Sequence, residues 1–209
     1  MKRVILLAAC LAASLSAAPA AGGGDPVLAR VRTRYLTITA MTAKVTEVMC
    51  SAATGTCKRF QGTAEMKRPS KLRLEITKPE KQLIVCDGTT LTMYLAKEKQ
   101  AYRFDMTKTD QMLTMLNPLD GLLDGEVVRS EAVEGCHKLF MAVPKFKEYF
   151  SEITLTVDTT SLLITGIAAT DVVGNSAEYE FSDIKTNVKV KVSRFAFTPP
   201  KGVAIITKQ

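Results

Sequence analysis

At 209 residues, with 46% apolar side chains and a formal charge of +7, the chain is long enough to bury a core and too hydrophobic to stay disordered. Its basic residues are scattered and accompany no recognised nucleic-acid motif, so nucleic acid is not an expected partner. One histidine, His137, and five cysteines without zinc-site spacing argue against a metal centre, and nothing in the sequence asks for a cofactor.

The first twenty residues read as a cleavable secretory signal peptide. Lys2 and Arg3 form a charged start, and Val4 to Leu15 an apolar run too short to span a bilayer. Ser16-Ala17-Ala18 and Ala18-Pro19-Ala20 offer small-residue cleavage sites. Leu7-Ala8-Ala9-Cys10 matches a lipidation box, but the apolar run continues past Cys10, so lipidation is the minor reading. Residues 21–24 form a flexible leader, and residues 25–209 a single domain. Export permits disulfides. Cys50 and Cys57 flank a turn-like segment between strand-like runs; a cross-strand bridge is the favoured reading and a pair of thiols the alternative. The pairing of Cys86 with Cys136 stays open.

Asp25 reads as a helix N-cap with Pro26 at the first helical position. Leu28, Val31 and Tyr35 recur at helical spacing, which predicts an amphipathic helix over Pro26 to Leu36 with Arg30, Arg32 and Arg34 mostly on its other side. The period then becomes two. Met41, Ala43, Val45 and Met49 alternate with polar residues, as do Leu72, Leu74 and Ile76. Leu83 and Val85 lead into the hairpin signal Asp87-Gly88; Leu91, Met93 and Leu95 return, and Tyr102 and Phe104 follow a polar turn. Asp110 to Leu123 is a helix-and-turn segment broken at Asn117-Pro118. Strands resume at Val127-Val128, Lys138–Val143, Ile153–Val157, Leu162–Ala168, Ala177–Phe181 and Lys189–Phe197. The fold expected is mainly β: a strongly curved antiparallel sheet of about ten or eleven strands, an unclosed barrel covered by helices.

Such a sheet has a concave apolar side that two small helical segments can cover but not fill, which makes it a candidate pocket for an apolar ligand. Met49, Met66, Met93 and Met141 fall on strands and Met112 and Met115 on the helical segment; their flexibility suits variable acyl chains, although methionines on apolar faces are most often plain core. Cys136 and His137 are strand neighbours pointing to opposite faces, and Asp87 and Asp105 read as turn residues, so no enzyme activity is expected.

Three pieces in order carry a family resemblance. Gly62-Thr63-Ala64-Glu65-Met66-Lys67-Arg68-Pro69-Ser70-Lys71-Leu72-Arg73-Leu74 resembles the glycine, strand and Lys-Arg-Pro element of LolA-type lipoprotein carriers. Leu83-Ile84-Val85-Cys86-Asp87-Gly88 with Leu91-Thr92-Met93-Tyr94 resembles the next hairpin, and Phe195-Ala196-Phe197-Thr198-Pro199-Pro200-Lys201-Gly202-Val203 the family's terminal motif. The chain departs from the family in having no tryptophan. The resemblance implies a monomeric periplasmic carrier. It would take the acyl chains of lipoproteins from an inner-membrane ABC exporter and pass them to an outer-membrane receptor. The cavity would then be lined by Leu72, Leu74, Ile76, Leu91, Met93 and Phe104, under a lid supplying Leu28, Val31, Met112, Leu113 and Leu116. Arg68, held extended by Pro69, would latch that lid by donating to its backbone carbonyls. An anchored receptor lipidated at Cys10, a carrier of another lipid and a sensor module on the same sheet are the rival readings.

Overall fold

The computed structural model describes residues 24–106 and 121–208, so the expected signal peptide, Cys10 and the lid residues Met112, Leu113 and Leu116 lie outside the described residues. Asp25 caps helix α1 (Pro26–Leu36), its Oδ1 accepting from the N–H groups of Val27 and Leu28 at 2.8 and 3.0 Å. Leu28, Val31 and Tyr35 are buried on one face of α1, as their spacing requires.

Twelve strands follow: β1 (Ala40–Cys50), β2 (Cys57–Lys67), β3 (Lys71–Lys78), β4 (Gln82–Cys86), β5 (Thr90–Leu95), β6 (Gln100–Asp105), β7 (Glu126–Val133), β8 (Cys136–Ala142), β9 (Phe150–Asp158), β10 (Ile164–Asp171), β11 (Ser176–Thr186) and β12 (Ala204–Lys208). They form one sheet in the order β12-β6-β5-β4-β3-β2-β1-β11-β10-β9-β8-β7, whose two ends, β12 and β7, are not paired with each other among the described residues, so the barrel is unclosed. Consecutive strands pair from β1 to β6 and from β7 to β11, and a long-range pairing sets β1 against β11, with Val45 opposite Phe181 and Glu47 opposite Tyr179.

Three expectations are corrected. The sheet has twelve strands rather than ten or eleven, and it is not wholly antiparallel, because β12 lies parallel to β6. The expected strand over Lys189–Phe197 is instead an irregular strap with a 3-10 turn at Val192–Phe195. Its Val190 and Phe195 are buried with Leu83 and Val85, while Val188 and Phe197 pack alongside. The alternation read as strand periodicity reflects a segment crossing the outer face of the sheet. Arg194 pins the strap by donating to both oxygens of Glu65 at 2.7 to 3.2 Å, and Lys67 Nζ donates to the Val190 carbonyl at 2.8 Å. Of the helical stretch expected over Asp110–Leu123, the described part starts at Gly121 and holds a 3-10 turn, Leu122–Asp124.

Helix α1 lies against the other, inner face, within one continuous apolar cluster that includes Met41, Met66, Leu155 and Ile167. Its anchor is Tyr35, whose buried hydroxyl oxygen accepts from the Ile164 N–H at 2.9 Å; burial pushes this phenol up to about 12. Y35F is expected to cost about 1–3 kcal/mol, because the Ile164 N–H loses its acceptor in a buried place. Urea unfolding measures this, and a native-like midpoint would show that the hydroxyl contributes nothing.

Candidate functional site

The antiparallel register sets the predicted apolar residues on the inner face in rows. Met66, Leu72, Cys86, Leu91 and Phe104 are successive partners across β2 to β6; Ala64, Leu74, Ile84 and Met93 form the next row across β2 to β5; Ile76 stands beyond, opposite Gly62. Leu72, Leu74, Ile76 and Leu91 are buried, and Met93 and Phe104 are partly buried against the same cluster, which also contains Leu28 and Val31 of α1. Between Val45, Ala64, Met66, Leu72, Leu74, Tyr179 and Phe181 lies a void of about 10 Å³. That is space for about one water molecule and not for an acyl chain.

Arg68 stands in the three-residue turn between β2 and β3, followed by Pro69 and by Ser70 at φ 49°. The turn is fixed by the Arg68 N–H donating to the Thr39 carbonyl at 2.9 Å. Arg68 Nε donates to the Ile38 carbonyl at 3.1 Å and Nη2 to the Tyr35 carbonyl at 3.5 Å. These carbonyls sit at and just beyond the C-terminus of α1, where helix carbonyls lack intrahelical partners and carry partial negative charge. A planar guanidinium suits such a site because it offers several donors at fixed angles.

A second arginine tie escaped sequence reasoning. Arg32 Nε donates to the Leu123 carbonyl at 2.8 Å and Nη2 to the Gly125 carbonyl at 2.6 Å, binding the middle of α1 to the chain just before β7. The sequence placed Arg32 on the polar side of the helix. Its five donors were the available signal, but the acceptors lie about ninety residues away and are backbone atoms.

Glu47 is the second omission. It continues the inner-face period of Met41, Ala43 and Val45 on β1 and is only 8% exposed. Tyr179 Oη, on the neighbouring β11, donates to Glu47 Oε1 at 2.6 Å. Burial raises the Glu47 carboxyl above the ordinary glutamate value, and the Tyr179 hydrogen bond opposes that rise. The folded state therefore binds this proton more tightly than the unfolded chain does. The contribution is favourable below the ordinary value and is lost as pH rises through the raised one. E47Q keeps an acceptor for Tyr179 and removes the charge. It is expected to be more stable than the native chain at neutral pH, with the advantage fading on acidification. Thermal melts across pH test this; an advantage that does not change with pH would exclude titration of Glu47 as its source.

A disulfide joins Cys50 to Cys57 across the β1–β2 hairpin, while Cys86 and Cys136 are not bridged to each other. Asp87 holds the β4–β5 turn. Burial alone would raise its carboxyl, yet N–H groups of Thr90 and Thr89, with Lys71 nearby, hold it below the usual range.

The architecture is that of an open β-barrel with one helix packed against its apolar inner face and joined to it by arginine side chains that donate to backbone carbonyls. The family model described as "Outer membrane lipoprotein carrier protein LolA" matches residues 37–198. An outer-membrane lipoprotein carrier protein of Chromobacterium violaceum is 33% identical over 161 residues, covering 73% of this chain and 75% of the relative. Its counterpart from Methylibium petroleiphilum is 28% identical over 210 residues, covering 99% and 98%. The crystal structure of an uncharacterized conserved protein from Thermus thermophilus superposes with a TM-score of 0.55 at 14% identity, covering 87% of this chain and 97% of that one, a likeness of fold alone. The chain belongs to the LolA family of outer-membrane lipoprotein carrier proteins.

Proposed function

We propose that the chain is a periplasmic carrier that binds the acyl chains of lipoproteins on its inner sheet face. It takes them from an inner-membrane ABC exporter, delivers them to an outer-membrane receptor, and acts as a monomer by binding alone. Family membership combined with the apolar rows through Leu72, Leu74, Ile76, Leu91, Met93 and Phe104 carries this reading. The leader read in residues 1–20 and the Cys50–Cys57 bridge favour an exported protein.

Leu28 and Val31 of α1 are buried against the same face, so cargo that enters between α1 and the sheet displaces the helix. Acyl burial then contributes about 0.8 kcal/mol per methylene. Uncovering Leu28 and Val31 and breaking the Arg68 and Arg32 ties offset part of it. Loading and release are thus near-balanced exchanges of one apolar occupant for another, which lets the carrier give up its load without an energy source of its own.

The test is native purification from the periplasm followed by mass spectrometry of what co-purifies. Intact lipoproteins with their acyl groups are the expected cargo. A chain that carries only other lipids, or nothing after its exporter has been active, overturns the reading. The intact mass also separates the carrier from an anchored receptor, since a diacylglyceryl adduct on Cys10 would assign the latter.

A further inference from the structure

Among the described residues, the apolar inner face buries one charged side chain, which the carrier function does not use. Among the described residues, the buried polar or charged side chains are Glu47 and Thr92. Thr92 pairs with Val85 and Arg103 on the outer face, under the strap. Glu47 is therefore the buried charged side chain on the cargo side among the described residues. Its Oε1 is taken by the Tyr179 hydroxyl, its Oε2 makes no hydrogen bond and no cation pairs with it among the described residues. Tyr179 also borders the void, together with Val45 and Phe181, so the pair lies at the edge of the space into which acyl groups would move.

We propose that Glu47, oriented by Tyr179, is a selectivity determinant of this face: its second carboxyl oxygen accepts a hydrogen bond from the N–H of an amide-linked acyl ligand and disfavours acyl ligands that end in an anion. A carboxylate has acceptors only, so an amide N–H is a matched partner and a second carboxylate is not. In an apolar surround the matched bond strengthens and the like-charge contact becomes costly. Oε2 remains accessible to solvent, so an occupant's N–H replaces water there. Tyr179 fixes the carboxyl plane, so its role is positioning.

This inference rests on the acyl-carrier reading, and one experiment separates the two. The mature chain is titrated calorimetrically with N-palmitoylglycinamide, whose amides are neutral, and with palmitate. The native chain is expected to prefer the amide. E47Q is expected to narrow that preference by about tenfold, mostly through tighter palmitate binding, because it removes the charge and adds a donor. Y179F is expected to narrow it less, with the fold checked by its melting curve. An unchanged preference in E47Q, or a native chain that prefers palmitate, overturns the role of Glu47 while leaving the carrier reading standing. A native chain that binds neither probe overturns the carrier reading and this inference with it.

Discussion

Replacing Gly62 with alanine is expected to cost more than about 3 kcal/mol or to prevent accumulation of folded protein. Gly62 lies inside β2, between Val45 of β1 and Ile76 of β3, where the β2–β3 register shifts between Gln61 and Gly62. A Cβ built there would stand 2.1 Å from the Glu75 carbonyl oxygen and 2.9 Å from its carbonyl carbon. The obstacle is backbone, so no side chain can swing aside. The missing Cβ lets β3 fold closely over β2, which is how a sheet acquires a sharp local coil. G62A would force these central strands apart and disturb hydrogen bonding toward both neighbours. Urea unfolding measures the loss, with G24A as the control, since a Cβ at Gly24 meets nothing within 4 Å. Equal stability of the two variants would show that the sheet absorbs the methyl group by moving.

R68L is expected to leave the fold intact and to shift cargo handling toward retention. The substitution removes the donors to Ile38 and Tyr35 at the end of α1 but not the Tyr35 anchor to Ile164 or the Arg32 tie. Hydrogen bonds from a charged donor contribute roughly 1.5–3 kcal/mol each where well formed. On the proposed reading they stabilise only the covered, empty state, so losing them is expected to raise the apparent affinity for acyl ligands about tenfold or more. Release to an acceptor slows in proportion. R68K is expected to fall between, since a lysine keeps the charge without the fork of donors. Hydrogen exchange along α1 should quicken in R68L. Acyl-probe affinity and transfer rate equal to those of the native chain would remove Arg68 from the mechanism.

What was legible in the sequence was local. The alternation from Leu72 to Ile76, the Asp87-Gly88 turn and the Cys50/Cys57 spacing each involve residues close in the chain. They matched β3, the β4–β5 hairpin and the disulfide. What stayed hidden depends on long-range pairing. Glu47 sits in phase with Met41, Ala43 and Val45, which was a visible anomaly. Its partner Tyr179 lies 132 residues away and is brought beside it only by the β1–β11 pairing. The strap at Val188 to Phe197 was misread because burial against a sheet face and burial within a sheet leave the same periodic trace. Strand β12 was missed because five residues after a Pro-Pro turn carry little period of their own, and their parallel pairing with β6 joins segments a hundred residues apart.

Among the described residues, the two margins of the sheet, β7 and β12, pair with β8 and β6 and with no further strand. A hoop of strands has a fixed girth set by its ladder, and widening it means tearing that ladder. A scroll has no such constraint: small, shared changes in twist let it loosen or tighten while each rung stays whole. On the proposed carrier reading, the open seam makes the capacity of this protein elastic, so that slim and bulky fatty loads are wrapped by one and the same set of strands.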